Sequence, residues 1–351
     1  MKKFNEKNKT IQNIFRSYFN KMNSIEVRKS PNDDRNYRNI TLKNGLQVML
    51  VSDPTTDKAA ASLDVNVGHF ADPENVPGIA HFLEHMLFLG TEDFPDENQY
   101  ARVLQEHGGN SNAYTSCENT NYFFDVLQPH LGEVLQIFSA FFVNPLFTQN
   151  MTSRELKAVN SENAKNLLND MWRSFQLQKS TADPDHPFSK FGTGNQVTLE
   201  KIPKEKNIDV RDVLLKFHEK WYSASIMKLC VLGRETLDEL EAIVVPLFSR
   251  IRNNNVTKQI YRQGSPYTGE NLPRRYNVVP VKDLRTIELG WPTHPLEHLY
   301  RKKPSGYCSH IIGHEGPGSL FALLKEEGLA DALSAGKVLL INGILTFSFT
   351  F

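Results

Sequence analysis

The run Gly78-Ile79-Ala80-His81-Phe82-Leu83-Glu84-His85-Met86-Leu87-Phe88-Leu89-Gly90 decides how the rest of the chain is read. Pro77-Gly78 introduces a helix over about 79–89, and Gly90 stands where a helix C-terminal glycine belongs. On a helix, residues i and i+4 share a face and i+3 lies beside them. His81 and His85 can therefore reach one metal ion, with Glu84 close enough to hold a water that the metal polarises. Zinc brings the pKa of such a water near neutrality, and a carboxylate can then take its proton. Those are the components needed to hydrolyse a peptide bond.

The H-x-x-E-H pattern alone is not decisive, because the chain repeats it at His294-Pro295-Leu296-Glu297-His298. There Pro295 is tolerated only in a first helical turn, so the two histidines would not share a face. A third pair, His310 and His314, has the spacing but is cut by Gly313 and followed by Gly316-Pro317-Gly318. The first match differs in having a candidate third ligand. Glu155 and Glu162 lie seven residues apart on a predicted helix, so both point the same way. One can complete a His-His-Glu set, which leaves a fourth position open to water, as catalytic zinc requires. The other can orient a ligand from outside. Two glutamates alone are usually a solvated face, and two histidines on an apolar helix are usually core; together they favour a metal centre.

Working outward, Ile40–Leu42 and Leu46–Val51 flank Asn44-Gly45, a strong hairpin signal. Residues 61–67 read as a strand, 98–107 as a helix, and 111–115 with 121–126 as paired strands. Helices follow over about 131–142 and 153–168, then a buried strand at 227–232 and a helix at 237–247. The fold class is α+β, a mainly antiparallel sheet layered with helices. Asn253-Asn254-Asn255 and Gly264-Ser265-Pro266 have linker composition. The division is a flexible leader or weak presequence (1–37), a catalytic domain (38–252), a linker (253–275) and a second, cut-short domain (276–351). In the last, helices are expected near 306–313 and over about 319–333. The alternating stretch Leu345–Phe351 is expected to be a strand without neighbours, whose apolar edge would promote self-association.

With 351 residues, two domains or somewhat fewer are expected. Forty basic against forty acidic residues disfavour a nucleic-acid partner, and no apolar run is long enough for a membrane span. Three scattered cysteines, Cys117, Cys230 and Cys308, argue against a disulfide framework and for a reducing compartment. The first 24 residues hold six basic residues and one acid, Glu6. They read as an Asn/Lys-rich leader of a cytoplasmic protein or as a mitochondrial presequence. Initiation at Met22 instead of Met1 would discard most of this segment.

The run Gly78–Thr91 resembles the inverted-zinc-motif (H-x-x-E-H) M16 metallopeptidase family, its insulysin-like branch first and its nardilysin-like branch next. Ser161-Glu162-Asn163-Ala164-Lys165-Asn166, Trp172-Arg173 and His186–Asn195 resemble further segments of that family, in order and at similar spacing. The resemblance runs from about Arg38 to the C-terminus. It implies that His81, His85 and Glu162 bind one Zn2+ per chain, with Glu84 as general base and Glu155 as supporting acid. It also implies an M16-type α+β fold. Asn112-Ala113-Tyr114-Thr115 resembles an edge strand to which a peptide substrate adds as a further strand; its plain reading is an ordinary sheet member. Gly313–Leu320, with Gly313 and Gly316, resembles a region that anchors a substrate N-terminus; its plain reading is a glycine-rich turn. Cys117 replaces a small residue of the family, either as a small buried side chain or as an oxidation-sensitive thiol.

Members of that family have two halves, and the resemblance assigns this chain to the first. The second half supplies an Arg and a Tyr that stabilise the oxyanion, a role no residue here is assigned. Two functions follow: a zinc metalloendopeptidase acting on short unstructured peptides, or a zinc- and peptide-binding partner with little catalysis. Partners would be peptides, together with a C-terminal-half chain or a second copy.

Overall fold

The computed structural model describes residues 27–261, 265–267, 272, 274–293, 296–337 and 344–350. The basic leader through residue 26 and the His294-Pro295 pair of the second H-x-x-E-H match lie outside the described residues.

A six-stranded sheet forms the frame of the first part. Its strands are β1 (Asn36–Thr41), β2 (Gln47–Ser52), β3 (Lys58–Val65), β4 (Asn110–Thr115), β5 (Thr120–Leu127) and β6 (Met227–Gly233). They are ordered β1-β2-β6-β3-β5-β4, with every pair antiparallel except β2 and β6. The period-2 pattern dictates which face is buried. In β3, Ala59, Ala61, Leu63 and Val65 point into the core while Ala60, Ser62 and Asp64 point out. Register extends this across strands: Leu50 opposes Val231, Val231 opposes Ala61, and Ala61 opposes Phe124, giving one apolar row.

Helices cover that row. They are α1 (Ile79–Met86), α2 (Gln99–Glu106), α3 (Leu131–Ala140), α4 (Gln149–Asn166), α5 (Asp170–Ser180), the short α6 (Ile202–Glu205), α7 (Val210–Trp221) and α8 (Leu237–Phe248). α8 packs on β1 and β2, α3 on β3 and β5, and α1 and α2 on β4. α1 also packs against α4 and α7, which brings the two motif-bearing helices face to face.

α5 and α7 are additions to the elements expected from sequence. Each has a side-chain cap at its start. Asn169 Oδ1 accepts from the Met171 and Trp172 amides, and Asp209 Oδ1 accepts from the Arg211 amide. α4 begins four residues earlier than expected, because Thr148 Oγ1 accepts from the Met151 amide.

A second sheet holds β7 (Thr286–Pro292), β8 (Ala332–Lys337) and β9 (Ile344–Thr350), with α9 (Pro304–Ile312) and α10 (Leu320–Glu326) between β7 and β8. The strand order β7-β9-β8 corrects the expectation of a last strand without neighbours. β9 is central: Leu289 and Ala335 both pair with Phe347, from opposite sides. The expected helix over 319–333 is also corrected. α10 stops at Glu326 because Gly328 takes a left-handed φ of +67°. The Leu329 amide donates to Leu324 O and the Gly328 amide to Lys325 O, a Schellman ending. Beyond it the chain becomes β8. This part touches α5 through Asp170, whose carboxylate accepts from the Val281 and Lys282 amides at 2.8 and 3.0 Å.

Candidate metal centre

α1 owes its start to a buried carboxylate. Asp72 Oδ2 accepts from the Gly78 amide at 2.6 Å and Oδ1 from the Ala80 amide at 3.0 Å. This satisfies amides that a helix N-terminus leaves unpaired. Burial pushes the Asp72 carboxyl up to about 7, against the pull of those two bonds. Gly78 has φ +93° and abuts Gly194; a Cβ there would lie 2.3 Å from Gly194 Cα. Only two glycines permit that approach, and it lays the segment 192–195 along the helix.

The approach has a chemical result. Thr193 O accepts a hydrogen bond from His81 Nδ1 at 2.7 Å. A carbonyl only accepts, so the proton sits on Nδ1, which leaves Nε2 as the nitrogen a metal could use. On the other histidine, Nδ1 bonds Glu155 Oε1 at 2.8 Å. Both Nε2 atoms then face Glu162 Oε2, at 3.6 Å from His81 and 3.4 Å from His85. A tetrahedral zinc ion with bonds of about 2.0–2.2 Å holds its ligand atoms about 3.3–3.6 Å apart. Both nitrogens thus lie at about that distance from the carboxylate oxygen, all three donor atoms fall within 4.8 Å of one another, and the N, N, O donor set suits zinc. Burial pulls His85 down, but its bonds to Glu155 and Glu162 outweigh that and bring it up to about 9; the bond from His85 lowers Glu162.

Glu84 is buried on the same helix, and its Oε2 accepts from Thr115 Oγ1 at 2.6 Å. Burial raises its pKa, opposed by His81 and the Thr115 bond. Thr115 ends β4, the outermost strand of the six-stranded sheet, so the sheet edge runs directly to the centre. Along that edge the Ala113 amide donates to Asn112 Oδ1 at 2.9 Å, and Tyr114 is half exposed. A cavity of about 150 Å³ adjoins the centre, lined by His81, Thr115, Glu162, Trp172, Phe175 and Thr193 among others.

Gly313 and Gly316 lie elsewhere, at the C-terminus of α9 and in the following turn, and neither lines that cavity. A Cβ on Gly313 would sit 3.0 Å from Ser309 O and 3.4 Å from Ala335 Cβ, where α9 packs on β8. His310 and His314 have ring centroids 5.8 Å apart but belong to no three-donor group among the described residues. Cys117 is buried with Phe70, Ala182 and Phe188, and burial pushes its thiol up to about 11, which fits the small-buried-residue reading. No disulfide joins the described cysteines.

Comparison with known proteins bears on the same segments. The family described as Insulinase (Peptidase family M16) matches residues 47–185, and the one described as Peptidase M16 inactive domain matches 209–351. The chain is 48% identical over 336 residues to the human insulin-degrading enzyme, covering 94% of this chain and 33% of that protein. It is 51% identical over 313 residues to the A-factor-processing enzyme of Saccharomyces cerevisiae, covering 89% of this chain and 30% of that one. The crystal structure of pitrilysin superposes with a TM-score of 0.81 at 30% identity, covering 93% of this chain and 35% of the other. The chain belongs to the M16 peptidase family.

It spans about a third of the length of the curated M16 relatives it matches. Three groups around this M16 centre go unread in the sequence: Asp72, Thr115 and the Thr193 carbonyl. Asp72, six residues before Gly78, has the form of a cap reaching the first turn. Thr193 and Gly194 belong to a segment singled out only by resemblance. Nothing in the sequence pairs Thr115 with Glu84, because that bond arises from tertiary packing.

Proposed function

We propose that this chain is a zinc metalloendopeptidase acting on short unstructured peptides. His81, His85 and Glu162 hold one zinc ion, Glu84 is the general base, and Glu155 supports the site by orienting His85. The observation that carries this reading is the convergence of two Nε2 atoms and one carboxylate oxygen while each Nδ1 is committed elsewhere. Zinc, when bound, supplies the electrophile that makes a water acidic near neutral pH. Glu84 receives that proton. Its Oε2 is engaged by Thr115, which leaves Oε1 as the accepting atom. Its buried surroundings raise its pKa, which strengthens it as the acceptor of that proton; the more basic leaving amine then takes the proton from it.

β4 supports a peptide-binding role for Asn112, Ala113 and Tyr114. An extended peptide added to the outer edge would align its backbone along the strand that ends at Thr115. The Ala113 amide, now satisfied by Asn112 Oδ1, is the donor such a peptide would take over. Pairing through backbone fits broad side-chain tolerance. Gly313 and Gly316 retain a proposed role in anchoring a substrate N-terminus, and the division at 252/253 and 275/276 is proposed on composition. A cytoplasmic location is proposed with a mitochondrial one as alternative. No described helix is long and apolar enough to cross a membrane.

The test is zinc content together with cleavage of a short quenched-fluorescence peptide, with and without chelator. Glu84→Gln is expected to keep its zinc and lose about 10²–10⁴-fold in turnover. Chelator-insensitive cleavage or full activity of Glu84→Gln would overturn the mechanism. Because the chain spans a third of its relatives' length, a second reading follows, a zinc- and peptide-binding subunit. One zinc per chain with no turnover would select it.

A further inference from the structure

Away from the centre, His107, His130 and Glu133 bring three more metal-competent atoms within 4.8 Å of one another. We infer that they form a second, peripheral site for a divalent transition ion of the zinc or nickel class. His107 Nε2 lies 3.5 Å and His130 Nδ1 4.0 Å from Glu133 Oε2. The two imidazoles are stacked face to face, centroids 3.5 Å apart and planes within 7°. A divalent ion would bridge both nitrogens and the carboxylate, and imidazole with carboxylate suits zinc, nickel and copper.

The backbones that carry the donors are fixed. His107 closes α2, its amide donating to Val103 O and Leu104 O while its carbonyl accepts from the Leu127 amide. His130 directly precedes α3, and Glu133 sits in that helix's first turn. The side chains are partly exposed, so solvent ions can reach them and water can complete the shell. Parallel rings send their lone pairs side by side, not to one point. Loading therefore needs a rotation about χ2, a broad and soft torsion, and a small closing of the His130 distance. Occupation would tie the end of α2, which leads through Gly108-Gly109 into β4, to the start of α3.

This inference does not rest on the peptidase reading. Equilibrium dialysis of the full chain against excess Zn2+, repeated with Ni2+, separates the two sites. The wild type is expected to retain two equivalents. The double variant His107→Gln/His130→Gln should retain one, and His81→Gln should lose a different one. A double variant that retains as many equivalents as the wild type would overturn the second site. Should that variant fail to fold, Glu133→Gln, at an exposed carboxylate, must weaken the second equivalent at least tenfold. Failure of the peptidase reading would show instead in His81→Gln and in the cleavage assay.

Discussion

Each imidazole of the M16 centre has one nitrogen committed to the protein, and that commitment sets how well the other can serve a metal. Glu155 holds His85 at 2.8 Å and does so from the same helix as Glu162. Glu155→Gln keeps the size and loses the charge. It is expected to weaken zinc about 10–100-fold, read by competition against a chromogenic chelator. A buried histidine of α7 gives a pH signature. Burial, reinforced by Arg252, pulls His218 down to about 3. Between that value and the unfolded value near 6.5 the unfolded chain binds a proton that the native chain refuses. Stability therefore rises with pH across this window, by up to about 1.4 kcal/mol per pH unit from this group, and is lost as pH falls. Denaturation curves at pH 5 and pH 7 should show the difference, and His218→Gln should reduce it.

At the scale of elements, α1 is both the most legible piece of the sequence and the most dependent on what the sequence hides. Its histidines and its base are local, so spacing alone places them on one face, although the helix ends at Met86, short of the 79–89 span and the closing Gly90 expected from sequence. What aims them is not local: Asp72, Thr193 O and the Gly78–Gly194 approach come from chain segments that only folding brings together. Gly78→Ala would need a side chain at φ +93° and 2.3 Å from backbone. Its expected cost is above about 2 kcal/mol, with a parallel loss of zinc affinity, measurable by thermal unfolding and metal titration. Strands with alternating residues, such as β3 and β5, were readable from period alone. α5 and α7 were not read, although Val210, Val213, Leu214, Phe217 and Trp221 recur at helical spacing in α7, and their caps, Asn169 and Asp209, are common loop residues. The overlong reading of α10 has a similar origin. Helix-favouring residues continue past Glu326, and only Gly328 with its two backbone bonds ends the helix. β9 was legible as a strand, but its neighbours β7 and β8 lie in segments whose pairing spacing does not reveal.

At the scale of the molecule, the family match covers His81, Glu84, His85, Glu155 and Glu162, while the chain spans a third of the relatives' length. Arg173 lines the cavity beside the centre, and no role as an oxyanion donor is assigned to it. Loss of a donor of that kind typically costs about 10²–10³ in rate. The expected behaviour of the chain by itself is full zinc occupancy, measurable peptide binding and slow turnover, checked by single-turnover kinetics with excess protein. Association has a different source from the one the sequence implied. β9 is flanked on both sides, so the apolar surface available for contact is carried by exposed residues such as Val279, Tyr307 and Ile311. Light scattering should show concentration-dependent association that Val279→Lys and Ile311→Lys reduce.

The bond from His81 to Thr193 joins residues 112 apart in the chain, and the one from His85 to Glu155 joins residues 70 apart. Closing loops of that length comes late in the formation of a domain. Zinc capture would therefore act as a clock for refolding: tight uptake would lag helix formation and coincide with the last long-range contacts, and a zinc-sensitive dye would time the completion of the fold without reference to catalysis.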